Sequence, residues 1–216
     1  MPAPYSDQHQ PAVIVKASAL GRHTHHYLTN HLSNSHDGNE RILLSGSRGL
    51  FASSLSEAIE DIMLMTKGAR CRKPLLHTSI NPAVDMSEGE WALAWSVYEH
   101  EFDLSNHAYV EVTHTKTDGR THKHRVYSRV RDDQSAIDLG FNYLRHEKVA
   151  RILEHTLNRP LTLGRFNRAI IKQLEKDGQG AVAAWLRMEE AHVQHRPSAA
   201  QLARDSQQQK RTKVSI

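Results

Sequence analysis

Three histidines surround one glycine-containing turn near the middle of the chain. They are His114, His122 and His124, within the stretch 107-HAYVEVTHTKTDGRTHKHRVYSRV-130. Apolar residues alternate with polar ones on both sides of the turn, and this pattern predicts a β-hairpin. Residues two apart on a strand project from the same face, so the last two histidines point together. The first histidine lies on the partner strand and reaches the same face in a suitable register.

Grouped in this way, the three imidazoles form a cup of three nitrogen ligands. A metal ion bound in it would keep its other coordination positions open. We call these three residues the histidine cup. It suits a divalent metal ion that must keep room for substrate oxygens, and the pattern accepts Mg²⁺ or Mn²⁺ and also admits Zn²⁺. The competing interpretation is a solvated hairpin edge, because a chain with 16 histidines in 216 residues contains such pairs by chance.

A phosphodiester is a substrate that such a metal centre could polarise for attack. The attacking group is then water or a tyrosine, and a tyrosine would form a covalent phosphotyrosine intermediate. Tyr27, in the polar segment 25-HHYLTNH-31, is the tyrosine that the pattern favours as the nucleophile. The alternative is that Tyr27 packs a helix against a sheet.

The elements that must position these residues are strands interleaved with helices. Strands are predicted at 12–16, 41–45, 74–81, about 107–114 and about 122–130. Helices are predicted at the centre of 21–34, at 54–68, from a Ser87–Glu90 capping box through about Glu101, and at 144–157, 163–176 and about 179–194. The resulting class is α+β: a sheet of about five strands flanked by helices, with a helical C-terminal extension.

Composition at the two ends, and a change to a helical pattern near residue 140, divide the chain into four parts. Residues 1–11 are predicted to be a flexible arm, 12–140 the sheet domain, 141–195 the helical extension, and 196–216 a basic disordered tail. The histidine cup and the candidate nucleophile both fall in the sheet domain.

Cysteine usage and hydropathy predict the compartment. The single cysteine, Cys71, excludes an internal disulfide and a CxxC zinc site, and it favours a reducing compartment. No apolar run approaches the length of a membrane span, and the first ten residues do not have the pattern of a signal peptide. We therefore expect a soluble, cytoplasmic protein with no membrane partner.

The chain is moderately basic, with a net charge of +4 and a pI near 9.2. This charge is compatible with a polyanionic partner such as DNA. The basic residues expected to contact DNA lie before the third predicted strand and around the histidines: Arg70, Arg72, Lys73, Arg120, Arg125 and Arg129. Phosphate contacts of this kind make affinity depend on salt. The alternative is that these charges form an ordinary solvated surface.

Three segments carry a family resemblance. They are HHYLTNH followed by NERILLSGSRGL, then 70-RCRKPLLHTSINP-82, and then 114-HTKTDGRTHKHRVYSRV-130, in which one histidine precedes a His-x-His pair by eight residues. Together they resemble the relaxase (mobilization nuclease) family of plasmid DNA-transfer enzymes, within the HUH endonuclease superfamily. The helical segment 145-RHEKVARILEHTLNRPLTLGR-165 is also similar to the family, so the resemblance covers about 12–170.

The resemblance implies a relaxase-like nuclease domain with a central antiparallel sheet. It implies a metal-dependent enzyme that nicks one DNA strand at a plasmid transfer origin and holds the 5′ end as a phosphotyrosine. The histidine cup would bind the metal, Tyr27 would be the nucleophile, and Ser79 and Asn81 would lie near the DNA or the site. Single-stranded plasmid DNA is the implied partner, with conjugation accessory or coupling proteins as further ones.

Two positions depart from the family pattern. Lys123 stands between the paired histidines where the family usually has a hydrophobic residue, so we expect the back of the hairpin to be less buried than usual. Lys116 stands where many relatives have an acidic residue. Glu111 and Asp118 are then the candidates for the group that orients a histidine or accepts the tyrosine proton.

Other functions stay open at this point. A rolling-circle replication initiator or a transposase would share the chemistry, and the chain has no GxxxxGK[ST] phosphate loop of a helicase. A DNA-binding accessory protein would keep the fold without the chemistry. A small metal-binding protein would bind the metal ion without binding single-stranded DNA.

Overall fold

A computed structural model describes residues 12–34, 41–162 and 164–194. The strands are β1 (Val13–Leu20), β2 (Arg41–Arg48), β3 (Leu75–Pro82), β4 (Tyr109–Thr115) and β5 (Thr121–Ser128). The helices are α1 (His25–Ser33), α2 (Leu55–Met65), α3 (Glu88–Phe102), α4 (Asn142–Thr156), α5 (Asn167–Lys176) and α6 (Gly180–Gln194). Each predicted strand and helix is present with its ends moved by a few residues. The predicted arm 1–11 and tail 196–216 lie outside the described residues.

The five strands form one antiparallel sheet in the order β1-β3-β5-β4-β2. The predicted α+β class and central antiparallel sheet are therefore confirmed. The β4–β5 hairpin lies inside the sheet, with β2 paired to one of its strands and β3 to the other. Because both strands are paired on both edges, the facing of every side chain on the hairpin is fixed.

One face of the sheet carries the histidine cup and is partly covered by α1 and α2. We call it the histidine face. Its apolar core consists of Leu28, Leu32, Ala58, Ile59, Ile62, Leu75, Val110 and Val126. Helix α2 begins at Ser54, whose side chain accepts a hydrogen bond from the Glu57 backbone and so satisfies an amide at the helix start.

The other face is covered by α3 and α4, and we call it the α3 face. Its core consists of aromatic and aliphatic side chains that include Trp91, Trp95, Tyr98, Phe102, Tyr127, Val149 and Leu153. Ser87 and Glu90 form the predicted capping box at the start of α3, which is thereby confirmed.

Helix α4 belongs to the core of the sheet domain. Val149, Ala150 and Leu153 pack with β1 and α3, whereas α5 and α6 form a separate apolar cluster with Ile152 on another side of α4. The packing therefore continues across the boundary expected at residue 140 and changes only after α4. Among the described residues, none of the helices is long and apolar enough to cross a membrane.

Buried charges lie on the α3 face, directly behind the histidines. Lys123 is 7% exposed, and its Nζ lies 3.4 Å from Glu111 and 5.2 Å from the centre of the Trp91 ring. Arg125 donates to Glu111 at 2.7 Å and pairs with Glu99 at 2.8 Å. The expectation of a less buried back face is therefore wrong, because a paired carboxylate and an aromatic ring surround the Lys123 ammonium in place of water.

Replacing Glu111 by Ala would leave Arg125 and Lys123 short of a buried counter-charge. Removing one partner of a buried ion pair costs about 3 kcal/mol or more, and we expect the free energy of unfolding to fall by about that amount. Urea denaturation followed by circular dichroism measures the change. The control is Asp118→Ala, which removes the exposed pair with Arg120 and should leave the curve near that of the wild type. Equal losses in both variants would contradict the importance of the buried network.

A buried histidine on the α3 face predicts sensitivity to acid. The His146 ring stacks on Tyr98 and contacts Phe102, and burial lowers its pKa from 6.5 to about 4, with Arg145 adding to the effect. His146 is therefore protonated near pH 6.5 in the unfolded chain, but only near pH 4 in the folded chain. Between these two values only the unfolded chain gains the proton. The free energy of unfolding is therefore highest above pH 6.5 and falls as the pH is lowered towards 4.

We expect His146→Leu to reduce this acid-dependent loss of stability without abolishing it, because burial also lowers the pKa values of His77 and His124. Thermal melting of the metal-free protein at several pH values between 7 and 4 measures the slope. An unchanged slope in the variant would show that His146 does not titrate with folding.

Candidate active site

The structure brings the three predicted histidines together at the centre of the histidine face. His114 on β4 pairs directly with His122 on β5, and His124 lies two residues further along β5. Their ring centroids are 4.7 to 5.0 Å apart, and one nitrogen from each ring lies within 4.8 Å of the others. The register required for a three-nitrogen cup is therefore present.

Hydrogen bonds outside the cup indicate which nitrogens can face a metal ion. His114 Nε2 donates to the Leu32 carbonyl of α1 at 3.0 Å, and this leaves Nδ1 as the nitrogen with a lone pair. His124 Nδ1 lies 2.9 Å from His77 Nε2. Its Nε2 is buried and has no hydrogen-bond partner among the described residues. A buried nitrogen of this kind beside two other imidazoles fits a divalent ion.

Burial keeps His124 of the cup and its neighbour His77 neutral. Burial lowers the pKa of His124 to about 2, and the neighbouring His77 imidazole adds to the lowering. Burial also lowers the pKa of His77 to about 4. A metal ion binds the neutral form of histidine, so the folded protein holds His124 ready as a ligand at neutral pH.

Tyr27 stands on α1 beside the histidine cup. Leu28 and Leu32 of the same helix are fully buried and anchor it to the sheet, whereas Tyr27 is 65% exposed. Its ring stacks on His31, one turn further along α1, with centroids 5.8 Å apart and planes 8° from parallel. The exposure does not agree with the alternative that Tyr27 packs the helix against the sheet.

Tyr27 and His124 line the same cavity, which has a volume of about 380 Å³. The cavity opens on the histidine face, and its other lining residues are Lys16, Ala17, Ser18, Leu20, His31, His77 and Ser79. The candidate nucleophile and one histidine of the cup therefore border a common space. Such a space can hold a phosphodiester group between a nucleophile and a metal site.

Strand register explains why these residues meet. Lys16 on β1 pairs with Ser79 on β3, and Ser79 pairs with His124 on β5, so the three lie in one row across the sheet. Asn81 lies two residues beyond Ser79 on β3 and shares its face. Lys16, His31 and His77 were not among the predicted site residues.

The sequence contained a partial signal for the residues that were missed. His31 follows Tyr27 by four residues, which places it on the same side of a helix. His77 precedes Ser79 by two residues, which places it on the same face of a strand. The pairing of β3 with both β1 and β5 brings Lys16 and His77 to the cavity, and this pairing is not encoded by any local pattern.

Comparison with known families decides the identity of this arrangement. Residues 27–158, more than half of the chain, match the family model described as relaxase, MobA/VirD2-like, nuclease domain. The chain belongs to this relaxase family. No curated protein and no solved structure matches the chain. The match begins at Tyr27 and ends two residues after α4, so it includes the whole β4–β5 hairpin.

Membership in the relaxase family supports the broad expectations for the chain. Relaxase nuclease domains nick DNA, are generally metal-dependent and act on single-stranded DNA at an origin. The three clustered histidines agree with this metal dependence.

Four of the expected DNA contacts are on the surface of the relaxase. Arg70, Arg72 and Lys73 are exposed in the loop before β3, and the Arg72 carbonyl lies beside Gly21, where β1 ends before α1. Arg120 stands in the hairpin turn and pairs with Asp118 at 2.8 Å. These cations thus occupy two separate parts of the molecule.

The two remaining expected contacts, Arg125 and Arg129, have different roles in this structure. The Arg125 side chain is 11% exposed on the α3 face, where it lies over the Trp95 and Tyr109 rings and pairs with carboxylates. Arg129 donates to the backbone carbonyls of Lys73 and Ile137. Strand alternation turns Arg125 away from the histidines, and Arg129 lies directly after the end of β5.

Neither carboxylate considered from the sequence reaches Tyr27. Glu111 is buried on the α3 face, where it accepts hydrogen bonds from Arg125 and Ser45. Asp118 accepts from Arg120 within the hairpin turn. Among the described residues that line the cavity, imidazoles are present and carboxylates are not.

We expect the relaxase to bind Mn²⁺ through the histidine cup. His122→Ala should weaken the binding by at least about tenfold, which is the lower bound for losing even an outer partner of a metal ligand. Isothermal titration calorimetry measures the affinity. The matched control is His100→Ala, an exposed histidine on α3, which should bind Mn²⁺ as the wild type does. Equal affinity in the wild type and His122→Ala would place the metal ion elsewhere.

Proposed function

We propose that this relaxase is a metal-dependent DNA strand transferase that nicks one strand at a plasmid transfer origin through a 5′-phosphotyrosine on Tyr27. One observation carries the proposal: the exposed Tyr27 and His124 of the histidine cup border a single cavity. Conjugation then provides the biological setting, with accessory or coupling proteins as additional partners.

The histidine cup would hold the divalent ion, which is Mg²⁺ or Mn²⁺, with Zn²⁺ as a third candidate. When bound, the ion supplies Lewis-acid polarisation of phosphate oxygens and stabilises negative charge as it develops in the transition state. His114 is held for this role by the Leu32 carbonyl and His124 by His77. Both ligands are thus oriented before any substrate arrives.

In the proposed reaction, the Tyr27 hydroxyl loses its proton and its oxygen attacks the scissile phosphorus. The bond from the phosphorus to the 3′ oxygen breaks, and that oxygen takes up a proton to leave as a 3′-hydroxyl. The 5′ side of the strand remains joined to Tyr27 as a phosphodiester. Because the bond energy is conserved in this ester, a 3′-hydroxyl can attack it later and restore the strand.

DNA would cross the histidine face between the cavity and the nearby surface cations. Lys16 and Ser79 border the cavity, so a cation and a hydroxyl face the place of the scissile phosphate. Asn81 extends this polar row along β3. Arg70, Arg72, Lys73 and Arg120 are the cations that we assign to flanking phosphates on the DNA, because each is placed at the surface or in the hairpin turn.

The first test is a search for the covalent adduct. Purified protein is mixed with single-stranded DNA that covers the candidate transfer origin and with Mn²⁺, and the products are separated on a denaturing gel. We expect a protein–DNA adduct that disappears with EDTA, with Tyr27→Phe and with His122→Ala. The matched control is Tyr143→Phe, which changes another exposed tyrosine, on α4, and should keep the adduct.

The same gel distinguishes the other functions. An adduct that survives Tyr27→Phe would mean that another residue is the nucleophile. An adduct with a replication origin but not with a transfer origin would favour a rolling-circle initiator. Binding of the DNA in a native gel, with no adduct on the denaturing gel, would favour an accessory protein that has the fold but lacks the chemistry.

A second prediction concerns Lys16, which we assign to the scissile phosphate. Lys16→Ala should weaken binding of the single-stranded origin and reduce the slope of log affinity against log salt by about 0.7, the value for one phosphate contact on a single strand. Fluorescence anisotropy at several salt concentrations measures the slope. Lys172→Ala, an exposed lysine on α5, is the control and should leave the slope unchanged. If Lys16→Ala and Lys172→Ala give the same slope of log affinity against log salt, Lys16 does not contact a phosphate of the DNA.

A further inference from the structure

His77 contacts the histidine cup from outside it. It lies on β3, and its Nε2 is 2.9 Å from Nδ1 of His124. The two rings stack with centroids 5.1 Å apart and planes 21° from parallel. One of the two nitrogens must carry the hydrogen that they share.

The position of that hydrogen follows from the role of His124. The buried Nε2 of His124 has no hydrogen-bond partner among the described residues and is the nitrogen left to bind a metal ion. A metal-binding nitrogen needs its lone pair, so a neutral His124 ring carries its hydrogen on Nδ1. Nδ1 therefore donates to His77 Nε2, and His77 is the acceptor.

The rings around His77 hold it in place for this contact. His31 meets both His77 and His124 edge-on, with centroids 5.8 Å and 6.5 Å apart, and it also stacks on the ring of Tyr27. One packed group of four rings thus connects the nucleophile to a ligand of the cup. His77 is the member of the group that bonds directly to the ligand.

We propose that His77 is a positioning residue of the metal centre, which accepts the Nδ1 hydrogen of His124 and so fixes the tautomer and orientation of that ligand. This inference rests on the proposed function, because it adds a role within the same site. A partner of this kind prevents the ligand ring from rotating and raises the basicity of its metal-binding nitrogen.

Two substitutions of His77 test the role of the acceptor. His77→Leu fills a similar volume without an acceptor, and Mn²⁺ affinity should fall by about 10- to 100-fold, as for the loss of other outer partners of metal ligands. His77→Gln places an amide oxygen near the position of Nε2, and it should restore most of the lost affinity. Calorimetry measures the affinity, and thermal melting shows which variants are folded.

His146→Leu is the matched control for these variants. It makes the same change at a buried histidine on the α3 face, away from the cup. We expect it to alter stability while leaving Mn²⁺ affinity unchanged. A folded His77→Leu variant with the Mn²⁺ affinity of the wild type would overturn the proposal.

The wild-type chain offers a test that does not depend on the folding of any variant. Nitrogen-15 NMR of histidine side chains in the Zn²⁺-loaded protein reports the tautomer of each ring, and His124→Ala identifies the His124 signals. We expect a metal-bound Nε2 and a protonated Nδ1 on His124. Coordination through Nδ1 would overturn the proposal, because Nδ1 could not then donate to His77.

Failure of this inference can be told apart from failure of the proposed function. Mn²⁺ binding that depends on His122 but not on His77 would retain the metal centre and reject only the positioning role. Absence of Mn²⁺ binding in the wild type would overturn the metal centre and the role of His77 together.

Discussion

The antiparallel pairing of β4 with β5 is the constraint on which the rest of the site depends. Because His114 pairs directly with His122, one register brings all three imidazoles onto one face. A slip by one residue would turn the His-x-His pair to the opposite face and break the cup. Strands β2 and β3 hold the hairpin from both sides, and this pairing prevents such a slip.

The two faces of this hairpin are stabilised by different interactions. On the histidine face, Val110 and Val126 pack beneath α1 and α2. The histidines lie beside these valines on the same two strands. On the α3 face, Lys123 and Arg125 alternate with the histidines and are neutralised by Glu111 and Glu99. Burying these charges requires complete pairing, so this network favours the one register in which every charge meets its partner.

Local patterns in the sequence were sufficient to predict much of the fold. The alternation around the hairpin, the Ser87–Glu90 capping box and the amphipathic α2 each arise from interactions between residues close in sequence, and each is present. Strand alternation also indicates that Arg125 faces away from the histidine cup, because it is one residue from His124. The helical pattern that begins near residue 140 predicts α4 as a helix but does not reveal that α4 packs on β1.

The remaining part of the site depends on contacts between residues far apart in sequence. His77 is 47 residues from His124, and the two meet only because β3 is inserted between β1 and β5. The β-strand pattern of residues 74–81 gives no information about its neighbours in the sheet. For the same reason, the place of Lys16 beside Ser79 could not be read from either segment alone.

The hydrogen bond from His114 to the Leu32 carbonyl joins the histidine cup to the helix that carries Tyr27. Helix α1 is further tied to β1 by a single 3-10 turn, Arg22–Thr24, so it has little chain with which to move away. In the proposed reaction, a strand esterified to Tyr27 would therefore stay beside the cup after cleavage. Rejoining would then proceed at the high effective concentration of an intramolecular reaction, whereas moving the esterified DNA end away from the cup would require α1 to detach.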